Sequence, residues 1–308
     1  MRPKRTFREA AIKYLNEATK SSIDRDAHML KTLSPFIGDL FLSDVHMGTL
    51  ESYISDRRRI GWKKRTINYG LAVVRRIVRL AADEWIDAHG LTWLDRPPKI
   101  KLLKEDDRRE PYPLDWGEQE RLFNELPIYL RRMALFAVNT GCRDQEICKL
   151  KWDWEVEIPE LETSVFLIPK EKVKNREDRL VILNSIALAV MDEVRGEHEE
   201  FVFSRKGKPV QRMYNRAWRQ ARERAKLHTA RVHDLKHTYG RRLRAAGVSF
   251  EDRQDLLGHK SSRVTTHYSA PELITLLQAS ERVCSRDRSK LGTMVILKKK
   301  PRLAVAGN

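Results

Sequence analysis

The stretch LLGHKSSRVTTHYSA, residues 256–270, sets His259 and Tyr268 on either side of a run of basic and hydroxyl side chains. A tyrosine hydroxyl titrates near pH 10, so at neutral pH it is a weak nucleophile unless its surroundings help. Fixed cations close by favour its phenolate. The same cations would stabilise negative charge gathering on the non-bridging oxygens of a phosphorus under attack. These residues are therefore candidates for phosphoryl-transfer chemistry with Tyr268 as nucleophile. The plainer reading is a buried tyrosine on an amphipathic helix with polar neighbours.

Other segments hold cations suited to the same task. In NTGCRDQEICKLKW (139–152), Gly141 stops one helix and Arg143 opens the next, where a guanidinium beside unpaired backbone N–H groups suits a phosphate. Glu146 is three residues on, on the same helix face, and is placed to hold Arg143. IPKEKVKNREDRLVIL puts Lys170, Lys172, Lys174 and Arg176 at the tip of a hairpin. In VHDLKHTYGRRL, His233 and Lys236 share a helix face, with His237 next round. Neither H-E-x-x-H nor metal-type cysteine spacing is present, so no metal and no cofactor is expected. Cys142, Cys148 and Cys284 read as free thiols of a reducing cytoplasm.

The elements that must position these residues fall into two groups. Residues 7–88 read as helix after helix. The strongest, KKRTINYGLAVVRRIVRLAADEWI, has an apolar stripe of Ile67, Leu71, Val74, Ile77 and Leu80. Lys63, Lys64, Arg65, Arg75 and Arg76 decorate it, as a solvated face or as a surface tracking phosphates. The Pro- and charge-rich segment 95–115 reads as a linker, with a boundary near residue 110. Further helices follow, interrupted by two short apolar runs, Val165–Ile168 and Leu180–Leu183, that read as a β-hairpin. A short strand and turn is expected in EFVFSRKGKPV. The expected fold class is mainly α with a small β-sheet or hairpin. The net charge of +17 over 308 residues favours a polyanionic partner, with DNA or RNA first. No lipidation signal, signal peptide or long apolar run points to a membrane.

In order and spacing, TGCRDQE, the hairpin lysine, HDLKH, LLGHK and TTHYS resemble the catalytic domain of the tyrosine recombinases, the phage-type integrases. The resemblance spans roughly residues 5–285. It implies a helical, core-binding (SAM-like) DNA-binding domain with linker over 1–110 and a DNA breaking-rejoining catalytic domain over 111–290. Residues 291–308 form a C-terminal tail, either disordered or docked on a neighbouring protomer.

It further implies a catalytic set of Arg143, Lys174, His233, Lys236, His259 and Tyr268, with Glu146 orienting Arg143 and Lys172 as the reserve hairpin lysine. Lys236 departs from the family pattern, which has arginine there. Lysine keeps the charge but lacks the planar fork that grips two phosphate oxygens. It is expected to act as a point charge, and Arg241 and Arg242 are the nearest candidates to compensate.

The implied activity is site-specific cleavage and rejoining of double-stranded DNA at attachment sites, through a 3′-phosphotyrosine. The implied assembly is a homotetramer on DNA, in a bacterial cytoplasm and associated with the nucleoid. An accessory DNA-bending or directionality protein is a further expected partner. A binding-only regulator and a DNA-relaxing enzyme like type IB topoisomerases are the alternatives from other classes.

Overall fold

The computed structural model describes residues 4–173, 177–259 and 269–284. The chain divides into two compact units, Met1–Glu110 and Pro111–Asn308.

Among the described residues the first unit holds four α-helices, α1 (Phe7–Glu17), α2 (Ile23–Ile37), α3 (Met47–Arg59) and α4 (Lys64–Asp83). Local sequence explains where α1 begins. The Thr6 hydroxyl accepts from the Glu9 N–H, and the Glu9 carboxylate accepts from the Thr6 N–H at 2.8 Å, so two end donors are satisfied reciprocally. On α4 the expected stripe faces inward, with Ile67, Leu71, Val74, Ile77 and Leu80 all buried. Each such side chain contributes roughly 1.5–3 kcal/mol by leaving water.

The segment expected to be a linker is extended but packed. Ile100 is buried in the first unit's core. Asn68 of α4 exchanges hydrogen bonds with the main chain of Leu103, at 2.7 and 2.9 Å. The Lys64 N–H donates to Asp107 at 2.8 Å, and Lys64 Nζ pairs with Asp106 at 2.6 Å. The physical reason is that the first N–H groups of α4 have no partner within the helix, and the strap's carboxylates supply one.

The second unit opens with α5 (Trp116–Glu125), capped by an Asp115–Glu118 box, then α6 (Ile128–Thr140) and the short α7 (Asp144–Cys148). A three-stranded antiparallel sheet follows, made of β1 (Glu155–Ile158), β2 (Thr163–Ile168) and β3 (Arg179–Ile182) in the order β1-β2-β3. The β2–β3 pair is the expected hairpin, with Val165 opposite Ile182 and Ile168 opposite Arg179. β1 was not expected. It is an edge strand of two glutamates, an exposed Val156 and Ile158, so it shows no apolar run.

Next come α8 (Ser185–Val194), a tight hairpin of β4 (Ser204–Arg205) and β5 (Lys208–Pro209), and α9 (Arg216–Arg224). The last described helices of the unit are α10 (Val232–Ala245), α11 (Phe250–Leu257) and α12 (Ala270–Glu281). α6 is its axis, packed on α8 and α10, with Leu130, Met133, Phe136 and Ala137 fully enclosed. A second cluster, including Val165, Ile182, Tyr239, Leu243, Leu256 and Leu276, joins the sheet to the last three helices. No helix among the described residues is long and apolar enough to cross a membrane.

Candidate active site

Three elements converge where α6 ends, α10 passes and α11 ends. Gly141 closes α6 with φ +64°, and a Cβ there would lie 2.7 Å from the Tyr239 ring of α10. Only glycine combines that backbone angle with that approach. Gly258 closes α11 in the same left-handed conformation. Two residues beyond Gly141 is Arg143, and His259 directly follows Gly258, so these turns deliver the candidate side chains.

Lys236 of α10 ties the turns together. Its Nζ donates to the carbonyl of Gly141 at 2.7 Å and to the carbonyl of Leu257. Its side chain is buried. Burial, then the charges of Arg179 and Arg143, bring its pKa down to about 6. The charged ammonium is thus disfavoured here. A neutral amine still has two N–H donors, which matches the two carbonyls it serves.

Arg143 opens α7. Its N–H donates to Glu146 Oε2 at 2.8 Å and its guanidinium to Glu146 Oε1 at 2.6 Å. Glu146 is buried, and on its inner side Arg179 Nε lies 3.3 Å from Oε2. Burial works against the carboxylate, but Arg179 and the two Arg143 donors outweigh it and hold its pKa below the usual range. Arg179, at the start of β3, is 3% exposed. Its Nη2 reaches the carbonyls of Thr140 and Leu256, both at 3.4 Å. One carboxylate thus serves two guanidiniums, and the trio carries one net positive charge.

His259 lies within the electrostatic reach of this cluster. Desolvation, then Lys236, Arg143 and Arg179, lower its pKa. His233 stands on α10 with its ring edge-on to His237, 4.8 Å between centroids. Desolvation, then His237 and Lys236, lower its pKa as well. Both imidazoles are therefore pushed towards the neutral form, in which each offers one N–H and one lone pair. Among the described residues no three of His, Cys, Asp and Glu are grouped to hold a metal ion.

Arg143, Glu146, Lys236, His233 and His259 are thus gathered in one region from three separate segments. Lys174 and Tyr268 lie outside the described residues. Lys172 is exposed on a turn after β2. In the first unit Lys63, Arg65 and Arg76 are exposed and Arg75 is half-buried, whereas Lys64 is taken up by Asp106. Of the two arginines beside the motif, Arg241 is exposed, while Arg242 is buried and stacks on Trp116 at 3.4 Å.

Arg179 is the member that sequence reasoning missed, because it reads as one more charge at a hairpin turn. Strand periodicity was the available signal. Arg179 shares a face with the buried Val181 and is registered against the buried Ile168.

The comparisons agree with this architecture. The model of the phage integrase family matches residues 117–273, just over half the chain. The integrase of Salmonella phage P22 is 27% identical over 315 residues, covering 89% of this chain and 79% of that integrase. A lambda integrase dimer bound to a COC′ core site matches with TM-score 0.67 at 16% identity, over 96% of this chain and 81% of that one. A lambda integrase tetramer bound to a Holliday junction matches with TM-score 0.63 at 16% identity, over 86% and 80%. At such identities the two structures speak to the fold alone, and the fold is theirs. With its family signature spread over the helices and hairpin that build the basic cluster, this chain belongs to the phage integrase family and is a site-specific tyrosine recombinase.

Proposed function

We propose that the cluster activates a phosphodiester of double-stranded DNA for attack by Tyr268. One observation carries this reading. Lys236 joins the carbonyl two residues before Arg143 to the carbonyl two residues before His259, so a guanidinium and an imidazole are held at neighbouring turns. Arg143 and His259 bind the non-bridging oxygens and stabilise their charge as the phosphorus becomes five-coordinate. Lys236 works beneath them: its amine serves two carbonyls and positions both turns, which differs from a phosphate ligand in direct contact. His233 positions the phosphate or relays a proton.

The Tyr268 oxygen forms a bond to phosphorus as the bond to the 5′-oxygen breaks. Lys174 gives the departing oxygen its proton. The products are a 3′-phosphotyrosine and a free 5′-hydroxyl, so the ester's energy is kept and no nucleotide cofactor is required. Attack by the 5′-hydroxyl of a partner duplex reverses the step and joins strands in a new order.

The lambda integrase tetramer on a Holliday junction supports a homotetramer of this chain on two DNA sites. In this reading the unit 1–110 is the core-binding domain and grips the duplex through Lys63, Arg65, Arg75 and Arg76. The unit from residue 111 carries the chemistry. An accessory DNA-bending protein fits the same scheme.

The test is a suicide duplex, nicked beside the scissile phosphate so that the cleaved fragment diffuses away. Wild-type protein should accumulate a denaturant-resistant protein–DNA adduct, and Tyr268→Phe should bind the duplex but form none. An adduct that survives Tyr268→Phe removes Tyr268 from the role.

A further inference from the structure

The pattern of catalytic residues does not use Arg179, yet the cluster is built around it. Its guanidinium meets α7 through Glu146, the end of α6 through the Thr140 carbonyl, and the end of α11 through the Leu256 carbonyl. A Cβ on Gly258 would lie 1.5 Å from Arg179 Nη1, so the turn before His259 rests directly on this side chain. Nη1 finds no hydrogen-bond acceptor among the described residues. A buried charge with an unfilled donor is costly to keep, unless it does something for its neighbours.

We propose that Arg179 is a positioning residue for strand transfer, which neutralises Glu146 so that Arg143 keeps its charge for the phosphate, and which seats the Gly258–His259 turn. The proposal rests on the function proposed above. Its core is charge arithmetic. With Arg179, the trio of Arg143, Glu146 and Arg179 is net positive. Without it, Arg143 and Glu146 cancel, and the carboxylate draws the guanidinium inward. Lys236 answers the loss only in part: losing Arg179 eases its protonation, but burial still disfavours its ammonium and two carbonyls hold its amine. The family's second guanidinium is absent from α10, and Arg179 of β3 places a guanidinium beneath the same site.

The test compares Arg179→Met, Arg179→Lys and the double variant Arg179→Met/Glu146→Gln. Each is assayed for duplex affinity and for single-turnover adduct formation on the suicide substrate, with thermal melts to fix the folded fraction. Arg179→Met should lose about tenfold or more in adduct rate at nearly unchanged affinity, since most binding comes from remote phosphate contacts. Arg179→Lys, which keeps the charge, should lose less. Removing the carboxylate as well restores the net charge, so the double variant should recover most of the loss. A packing role alone predicts no such recovery.

Gly258→Ala provides a check if Arg179→Met does not fold. It leaves the charges in place but drives a methyl into the guanidinium, and should slow adduct formation similarly. The proposal is overturned if the double variant is no faster than Arg179→Met, or if adduct rate falls only in step with affinity. A wild-type protein that forms no adduct overturns both this proposal and the function it rests on. A wild-type adduct lost in Tyr268→Phe, together with an unrescued double variant, overturns this proposal alone.

Discussion

The Lys236 amine and the Gly141 carbonyl, 95 residues apart in sequence, meet at 2.7 Å inside the protein. The same nitrogen serves Leu257, so one side chain of α10 holds the ends of α6 and α11 together. Lysine suits this better than arginine. An amine sheds its proton under burial and still donates to both carbonyls, whereas a guanidinium would bring a permanent charge and five donors to satisfy.

Lys236→Met should therefore be destabilising at alkaline pH, near the ordinary lysine value of 10.5. There both carbonyls are orphaned, at about 1–3 kcal/mol each, while at neutral pH the variant also escapes the cost of stripping the amine's proton on folding, which offsets that loss. Urea denaturation at alkaline pH should show the lower midpoint, with a smaller difference at neutral pH. An unchanged midpoint would mean that the carbonyls find other donors.

The pH dependence of stability has a definite sign. Lys236, His233 and His259 all have folded pKa values below their ordinary ones. The unfolded chain therefore binds more protons, and stability rises with pH. For Lys236 the contribution is fully present above 10.5 and is lost as pH falls through the folded value of about 6. For the two histidines it is present above 6.5 and lost as pH falls through their lowered values. Melting temperature should drop from mildly alkaline to mildly acidic pH, and Lys236→Met should flatten the part of that slope above about pH 6. An equal slope in both proteins would assign the titration elsewhere.

Arg143→Ala separates binding from chemistry. Many basic residues share the attraction for a duplex, so affinity should change little. On the proposed assignment the oxyanion loses a guanidinium, so the adduct rate should fall by about a hundredfold or more. Gel-shift titration and the suicide substrate together measure both quantities. A large affinity loss with normal turnover per bound complex would contradict the assignment.

Arg242 offers a contrast with Arg179. It too is buried, and its Nη2 lacks a hydrogen-bond partner among the described residues, but its guanidinium lies over the face of Trp116. Burial opposes its charge, with only Asp115 working the other way. Arg242→Met keeps the stacking surface and removes the charge, so it should be neutral to stabilising in urea denaturation, with adduct rate unchanged. A marked loss of stability would show that the cation–π contact outweighs the desolvation cost.

The local grammar of this chain was legible in one dimension. The stop at Gly141, the stripe on α4 and the pairing of β2 with β3 all depend on residues close in sequence. So does the Arg143–Glu146 pair, three residues apart on one turn. The strap along α4 and the edge strand β1 were not legible in this way. Ile100 is an apolar residue among prolines and charges, and β1 is ordered by its neighbour β2 more than by its own pattern. The order of the motifs TGCRDQE, HDLKH, LLGHK and TTHYS along the chain pointed to the family and its activity. Tertiary structure alone decided that Lys236 turns inward to two carbonyls and that Arg179 lies under Gly258 against Glu146. The physical reason is that a charged side chain's role depends on whether solvent or a buried partner meets it. That is set by elements folding back from tens of residues away, not by the letters on either side.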